Sequence, residues 1–136
     1  MRIVIDTNII IDYLEEREPF SEHAARILEL CEDGSVEGLL TANAITDIYY
    51  IVRKIAGREK TSIALRTLCS FLGVAEISRA DILGAFDLPI PDFEDALVAQ
   101  CAKKVKADYI VTRNMPDFAK SQVLAIEPAD FLNLLD

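Results

Sequence analysis

Short apolar runs alternate along this chain with longer stretches in which apolar residues recur every three or four positions. That alternation restricts the fold more than any other feature. Residues 2–5, Arg-Ile-Val-Ile, form a β-branched run of the kind expected for a strand covered on both faces. From Asn8 the pattern turns helical, with Ile9, Ile10, Tyr13 and Leu14 on one stripe that ends before Pro19. Ser21 begins a second helix, in which Ala24, Ile27, Leu28 and Cys31 follow i, i+3, i+4 and i+7 spacing and the turn residues Asp33 and Gly34 close it. Leu39–Thr41 reads as a second strand. Asn43 can cap a helix with the stripe Ile45, Ile48, Tyr49, Val52 and Ile55, terminated at Gly57. A further helix spans roughly Glu59 to Leu72, with Gly73 as C-cap and Val74–Ile77 as a third strand. Residues 79–86 form a short helix. Pro89 and Pro91 break the chain, and Asp92 starts a helix that runs to about Lys106. Tyr109–Thr112 and Val123–Ile126 supply the last two strands, and Pro128 opens a final amphipathic helix.

Strands that alternate with helices of this length imply right-handed crossovers and a mostly parallel sheet. The expected architecture is therefore a three-layer α/β/α sandwich with a central sheet of about five strands, built as a single domain over residues 1–136. The composition allows it: 51% of the residues are hydrophobic, and a chain of this length buries about two thirds of its unfolded surface around one core. No apolar stretch approaches the roughly 18 residues of a membrane span. Arg2 and Asp6 interrupt the apolar region that a signal peptide would need, so the expected compartment is cytoplasmic. Cys31, Cys69 and Cys101 are widely spaced and lack a CxxC or a nearby His, so they are expected to be reduced core residues. His23, the single histidine, is expected at the surface.

The formal net charge is −9, from 14 basic and 23 acidic residues. Sequence-independent nucleic-acid binding depends on Lys and Arg neutralising phosphates, so a polyanion partner needs help here. A bound divalent metal could supply it, as could the clusters Arg53, Lys54, Arg58, Lys60 and Lys103, Lys104, Lys106, which otherwise read as solvated helix faces.

In a parallel sheet the C-terminal strand ends share one edge, and ligands bind in the crevice there. Asp6 ends the first strand at that edge. A helix that follows a strand starts at the same edge, which brings Asp47; a helix that precedes a strand also begins there, which brings Asp92, Glu94 and Asp95. Thr112 ends the fourth strand, with Asn114 and Asp117 just beyond it. Taken singly, these acids also suit purely structural roles. Asp92 and Asp95 fit the N-cap and N3 positions of a helix, and Asp47 fits a solvated helix start. Their convergence is costly, since two unit charges about 5 Å apart repel by roughly 3 kcal/mol at an effective dielectric near 20. A raised pKa or a bound hard cation relieves it, and a carboxylate and amide pocket without His or Cys favours Mg²⁺ or Mn²⁺.

The segments IDTN (residues 5–8), TDIYY (46–50), DFEDALVA (92–99) and YIVTRNMPDF (109–118) together resemble the PIN domain family, especially the VapC-like ribonuclease toxins of type II toxin-antitoxin systems. The resemblance spans nearly the whole chain in the expected order. It implies a PIN-like fold and metal-dependent hydrolysis of RNA, with Asp6, Asp47, Asp95 and Asp117 as the acids that hold one or two Mg²⁺ or Mn²⁺ ions. Asn8, Thr112 and Asn114 fall on supporting polar positions. The second acid is commonly Glu, and Asp47 is one methylene shorter, so its reach to a metal can be direct or through water. Asp92 and Glu94 are auxiliary candidates, and Asp92 can exchange roles with Asp95. The resemblance further implies a homodimer and a cognate antitoxin whose C-terminal segment blocks the cleft. Two other readings stand beside this one. The first is a PIN-like interaction module without catalysis. The second is a phosphotransfer domain with an aspartyl-phosphate at Asp6, which is disfavoured because Asn8 stands where a second acid would be wanted and Glu127 where a receiver would have lysine.

Overall fold

The computed structural model describes residues 1–136. Five strands, β1 (Arg2–Ile5), β2 (Glu37–Thr41), β3 (Gly73–Ala75), β4 (Tyr109–Val111) and β5 (Ala125–Ile126), form one sheet in the order β3-β2-β1-β4-β5. Every pairing is parallel. The chain starts at the centre of the sheet, builds outward through β2 and β3, then returns to add β4 and β5 on the other side. The switch point therefore lies between β1 and β4, where Ile5 is in register with Val111.

The helices are α1 (Thr7–Leu14), α2 (Ser21–Glu32), α3 (Ala42–Ala56), α4 (Arg58–Cys69), α5 (Arg79–Phe86), α6 (Phe93–Lys104) and α7 (Pro128–Leu135), with a 3₁₀ turn at Met115–Phe118. They cover both faces because β1 is apolar on both. Ile3 and Ile5 belong to a core shared with α1, α2, α3, α4 and α7, whereas Val4 belongs to a second core with α5 and α6. Burying each of these side chains contributes about 2 kcal/mol. That is the physical meaning of an uninterrupted β-branched run: neither side of the strand meets water.

Some boundaries differ from the sequence reading, each for a local reason. The cap of α3 is Thr41 rather than Asn43, because the helix leaves β2 with no intervening loop. Gly73 is the first residue of β3 rather than a C-cap, and α4 ends at Cys69 with Ser70 as its cap. In that strand Gly73 pairs with Leu39, whose side chain a Cβ would approach to 3.2 Å. Gly57 joins α3 to α4 with φ +85°, a conformation that glycine adopts without strain. Cys31 and Cys101 are buried as expected, but Cys69 is exposed on the last turn of α4. His23 lies on the surface. No helix is long and apolar enough to cross a membrane.

Candidate active site

The sheet's C-terminal edge holds a cleft of about 390 Å³ between α1, α3 and α6. Its acidic walls are Asp6, Asp47, Glu94 and Asp95, with Asn8, Asn43 and Asn114 among the amides. Three elements deliver the carboxylates by backbone geometry. Asp6 is the extended residue between β1 and α1, and as N-cap its Oδ1 accepts a hydrogen bond from the Thr7 amide at 2.9 Å. Asp47 sits early in α3, which starts at this edge because it follows β2 directly. Glu94 and Asp95 lie in the first turn of α6, whose N-cap is Asp92.

Asp6 is the anchor. It is 8% exposed, and its Oδ2 accepts a hydrogen bond from the hydroxyl of the fully buried Thr112 at 2.8 Å. The Asn114 amide donates to the same hydroxyl oxygen at 3.0 Å, so the end of β4 is tied to the end of β1 through side chains as well as backbone. Burial pushes the Asp6 carboxyl above its ordinary value, and the charge of Asp117 adds to this; the hydrogen bonds from Thr112 and Thr7 and the Arg113 charge oppose it. Asp95 is pushed up to about 7, first by burial and then by the charges of Asp92, Asp117, Asp6 and Glu94. Glu94 is raised by burial and then by the neighbouring carboxyls, Asp47 first and Asp92 and Asp6 after it. Burial leads all three upward shifts and neighbouring carboxylates add to each, so the cleft favours a proton or a cation over bare carboxylate charge.

The sequence-predicted residues fall at different depths. Asp6, Asp47, Asp95, Asn8 and Asn114 line the cleft. Thr112 lies beneath it, in contact with Asp6. Asp92 stands outside the walls, where its Oδ1 accepts from the Asp95 amide at 3.0 Å. Asp117 is exposed on the 3₁₀ turn, outside the walls, but its charge reaches both Asp6 and Asp95. Glu94 is the larger change: an auxiliary candidate in the sequence, it forms part of the wall beside Asp47.

The donors at the cleft are oxygens, which suits a hard divalent cation. Two of them, Thr41 Oγ1 and Asn43 Oδ1, are buried without a hydrogen-bond partner, an arrangement that calls for a ligand or water. No three acidic, His or Cys side chains stand close enough to hold a metal as they are, so the carboxylates would draw together around an ion. The set fits a cation in chemistry and in its surplus of charge.

One further group escaped the sequence reading. Asp12 on α1 is fully buried and accepts a two-pronged ion pair from Arg113, Nε to Oδ2 at 2.6 Å and Nη2 to Oδ1 at 3.1 Å. Arg113 lies over the Phe20 ring at 3.9 Å. The signal was present as an acid directly after the apolar run Ile9-Ile10-Ile11, a place where a charge needs a partner.

A family model of the PIN domain matches residues 2–116. The chain belongs to the PIN domain family. Solved structures share its fold. The VapBC2 complex of Rickettsia felis bound to a promoter DNA fragment matches with a TM-score of 0.74 at 19% identity, over 93% of this chain and 98% of that one. The DNA-bound VapBC of Salmonella typhimurium matches with a TM-score of 0.72 at 17% identity, over 94% and 98%. VapC20 of Mycobacterium tuberculosis, a toxin that cleaves the sarcin-ricin loop, matches with a TM-score of 0.63 at 13% identity, over 79% and 86%. No curated protein sequence matches the chain significantly.

Proposed function

We propose that this PIN domain is an Mg²⁺- or Mn²⁺-dependent endoribonuclease, the toxin of a toxin-antitoxin pair, acting in the cytoplasm as a homodimer whose cleft a cognate antitoxin blocks. The observation that carries the nuclease reading is the convergence of Asp6, Asp47, Glu94 and Asp95 on one cleft, with Asp95 pushed up to about 7. Membership of the PIN family and the likeness to VapC-type toxins support the toxin reading.

Asp6, Asp47 and Asp95 would hold the cation, with Glu94 beside Asp47 and Asp117 closing the open side. A divalent cation there supplies counter-charge for a phosphodiester and a water of lowered pKa for in-line attack. The chain's own groups prepare the site. Thr112 and the Thr7 amide each hold one oxygen of Asp6 and so fix its orientation. Asn8 and Asn114 offer amides at the same cleft for orienting the scissile group. Asp95, poised near neutrality, gives up its proton when positive charge arrives.

The test is incubation of antitoxin-free protein with total cellular RNA and Mg²⁺ or Mn²⁺, mapping new 5′ ends beside Asp6→Asn and Asp95→Asn. Discrete cuts by the wild type alone are expected. The second reading, a PIN fold without catalysis, draws on the dispersal of the acids and on the position of Asp117 outside the cleft walls. A divalent-metal titration separates the two, since the inactive module binds no cation at the cleft.

A further inference from the structure

A second cavity, of about 440 Å³, opens at the same edge of the sheet. Its size falls in the range of roughly 300–1,000 Å³ that small-molecule sites occupy. Phe20, His23, Arg113 and Glu127 supply its chemistry. Its position follows from topology. The Thr112 amide donates to the Ile126 carbonyl at 3.0 Å, so Glu127, the next residue, emerges beside the end of β4. Thr112 lies under Asp6 and Asn114 lines the carboxylate cleft, while Arg113 between them lines the second cavity. One three-residue segment is thus the shared wall of both.

The groups in this cavity fit a base better than a phosphate. The Arg113 charge is already met by Asp12, and Glu127 adds a negative charge, so a bare anion finds no net attraction. Asp12 occupies Nε and one Nη2 hydrogen of Arg113, which leaves the end-on fork of Nη1 and Nη2 available as a pair of donors. Glu127 is an acceptor whose side chain makes no capping bond to α7, so it too is uncommitted. Phe20 is 38% exposed, and the Arg113 guanidinium lies over one face of its ring at 3.9 Å, so a base paired in the plane of the guanidinium continues that stack past the ring.

We propose that this cavity is a nucleobase subsite beside the carboxylate cleft, with guanine as the base that it complements. The Arg113 fork donates to guanine O6 and N7, as in the commonest arginine–guanine pairing, and Glu127 accepts from N1–H and N2–H. The subsite would set which base flanks the cut, so as a specificity element it rests on the nuclease reading above; as a base-binding site it does not.

The experiment exploits the single histidine. His23 lines the cavity, so its ring proton resonances report occupancy without ambiguity. The full chain is titrated with guanosine, adenosine, cytidine and uridine in chelator, where neither cleavage nor metal contributes. Guanosine is expected to shift the His23 resonances with an affinity roughly tenfold above that of the other nucleosides, the discrimination one good bidentate contact supplies. Glu127→Gln, which alters an exposed side chain that caps nothing, and Phe20→Ala should each remove most of that difference. Guanosine that leaves His23 unmoved, or binds both variants as it binds the wild type, overturns the proposal. Cleavage-site mapping with Mg²⁺ or Mn²⁺ separates the two readings. Base discrimination at His23 without cleavage leaves the subsite standing and counts against the nuclease, and cleavage with no preference at any flanking base overturns the subsite's role in choosing the cut.

Discussion

Asp95 shows how burial and like charge act on one side chain. It is held near 7 in the fold, against about 4 in the unfolded chain. Between those values the folded carboxyl keeps its proton while the unfolded one has lost it, so metal-free stability falls as pH rises from about 4 to about 7 and is flat above. Asp95→Asn, which never ionises, should make that decline shallower in thermal melts across the range, leaving the part that the raised Asp6 and Glu94 carboxyls contribute. At roughly pH 8 the variant should be more stable than the wild type by about 1 kcal/mol, the full shift being discounted for the partial exposure of the site. A wild-type melting temperature that rises over this interval would contradict the assignment. The same substitution should remove cleavage, a trade of function for stability that is common at charged sites.

At the level of elements, two polar devices hold helices to their neighbours. In α5 the Ser78 hydroxyl accepts from the Asp81 amide, the Ser78 amide and hydroxyl donate to the Asp81 carboxylate, and Lys104 of α6 pairs with the same carboxylate. The Lys104 hydrogen bond, helped by Ser78, holds Asp81 below the ordinary carboxylate range. Its stabilisation is therefore present at neutral pH and lost in acid. Ser78→Ala should cost about 1 kcal/mol in urea unfolding, with the denaturant slope unchanged. The second device is the Asp12–Arg113 pair, which clamps α1 to the segment after β4. Asp12→Ala leaves a guanidinium that is only 25% exposed without its partner and should cost about 3 kcal/mol. It should also loosen Thr112 from Asp6, because Arg113 is the next residue in the chain. Chemical denaturation measures the first effect, and hydrogen exchange of the Asn114 amide, which donates to the Thr112 hydroxyl oxygen, reads the second.

For the whole molecule the net charge of −9 sets the terms on which a polyanion is met. Phosphate approaching a carboxylate cleft is repelled until a cation intervenes, so RNA binding should be weak in chelator and strengthen on addition of Mg²⁺ or Mn²⁺. At a cation concentration one hundred times its Kd, the native state gains about 2.7 kcal/mol, a rise in Tm of roughly 8–10 °C for a domain of this size. The gain should grow as pH passes upward through about 7, because the cation competes with the Asp95 proton. Calorimetric scans with and without Mn²⁺ at two pH values measure both effects, and an unchanged Tm at both favours the inactive module.

Pattern and spacing were enough for the layered architecture. The run Ile3-Val4-Ile5 required a strand buried on both faces, and helices between successive strands required parallel pairing. Those two constraints already put Asp6, Asp47 and Asp95 at one edge, because the direction of a parallel strand fixes which end of the neighbouring helix meets it. Periodicity does not carry distances or depth, and there the three-dimensional arrangement was needed. Asp117 stands outside the cleft walls and Glu94 within them, though both are acids near element boundaries, because the 3₁₀ turn and the first turn of α6 direct them differently. Ile55 belongs to the apolar stripe of α3 yet is 80% exposed, since a stripe gives the direction of a side chain but not how far the neighbouring layer extends. Asp12 and Arg113 lie 101 positions apart in sequence, and the ion pair that joins them exists only because the parallel sheet sets the ends of β1 and β4 side by side.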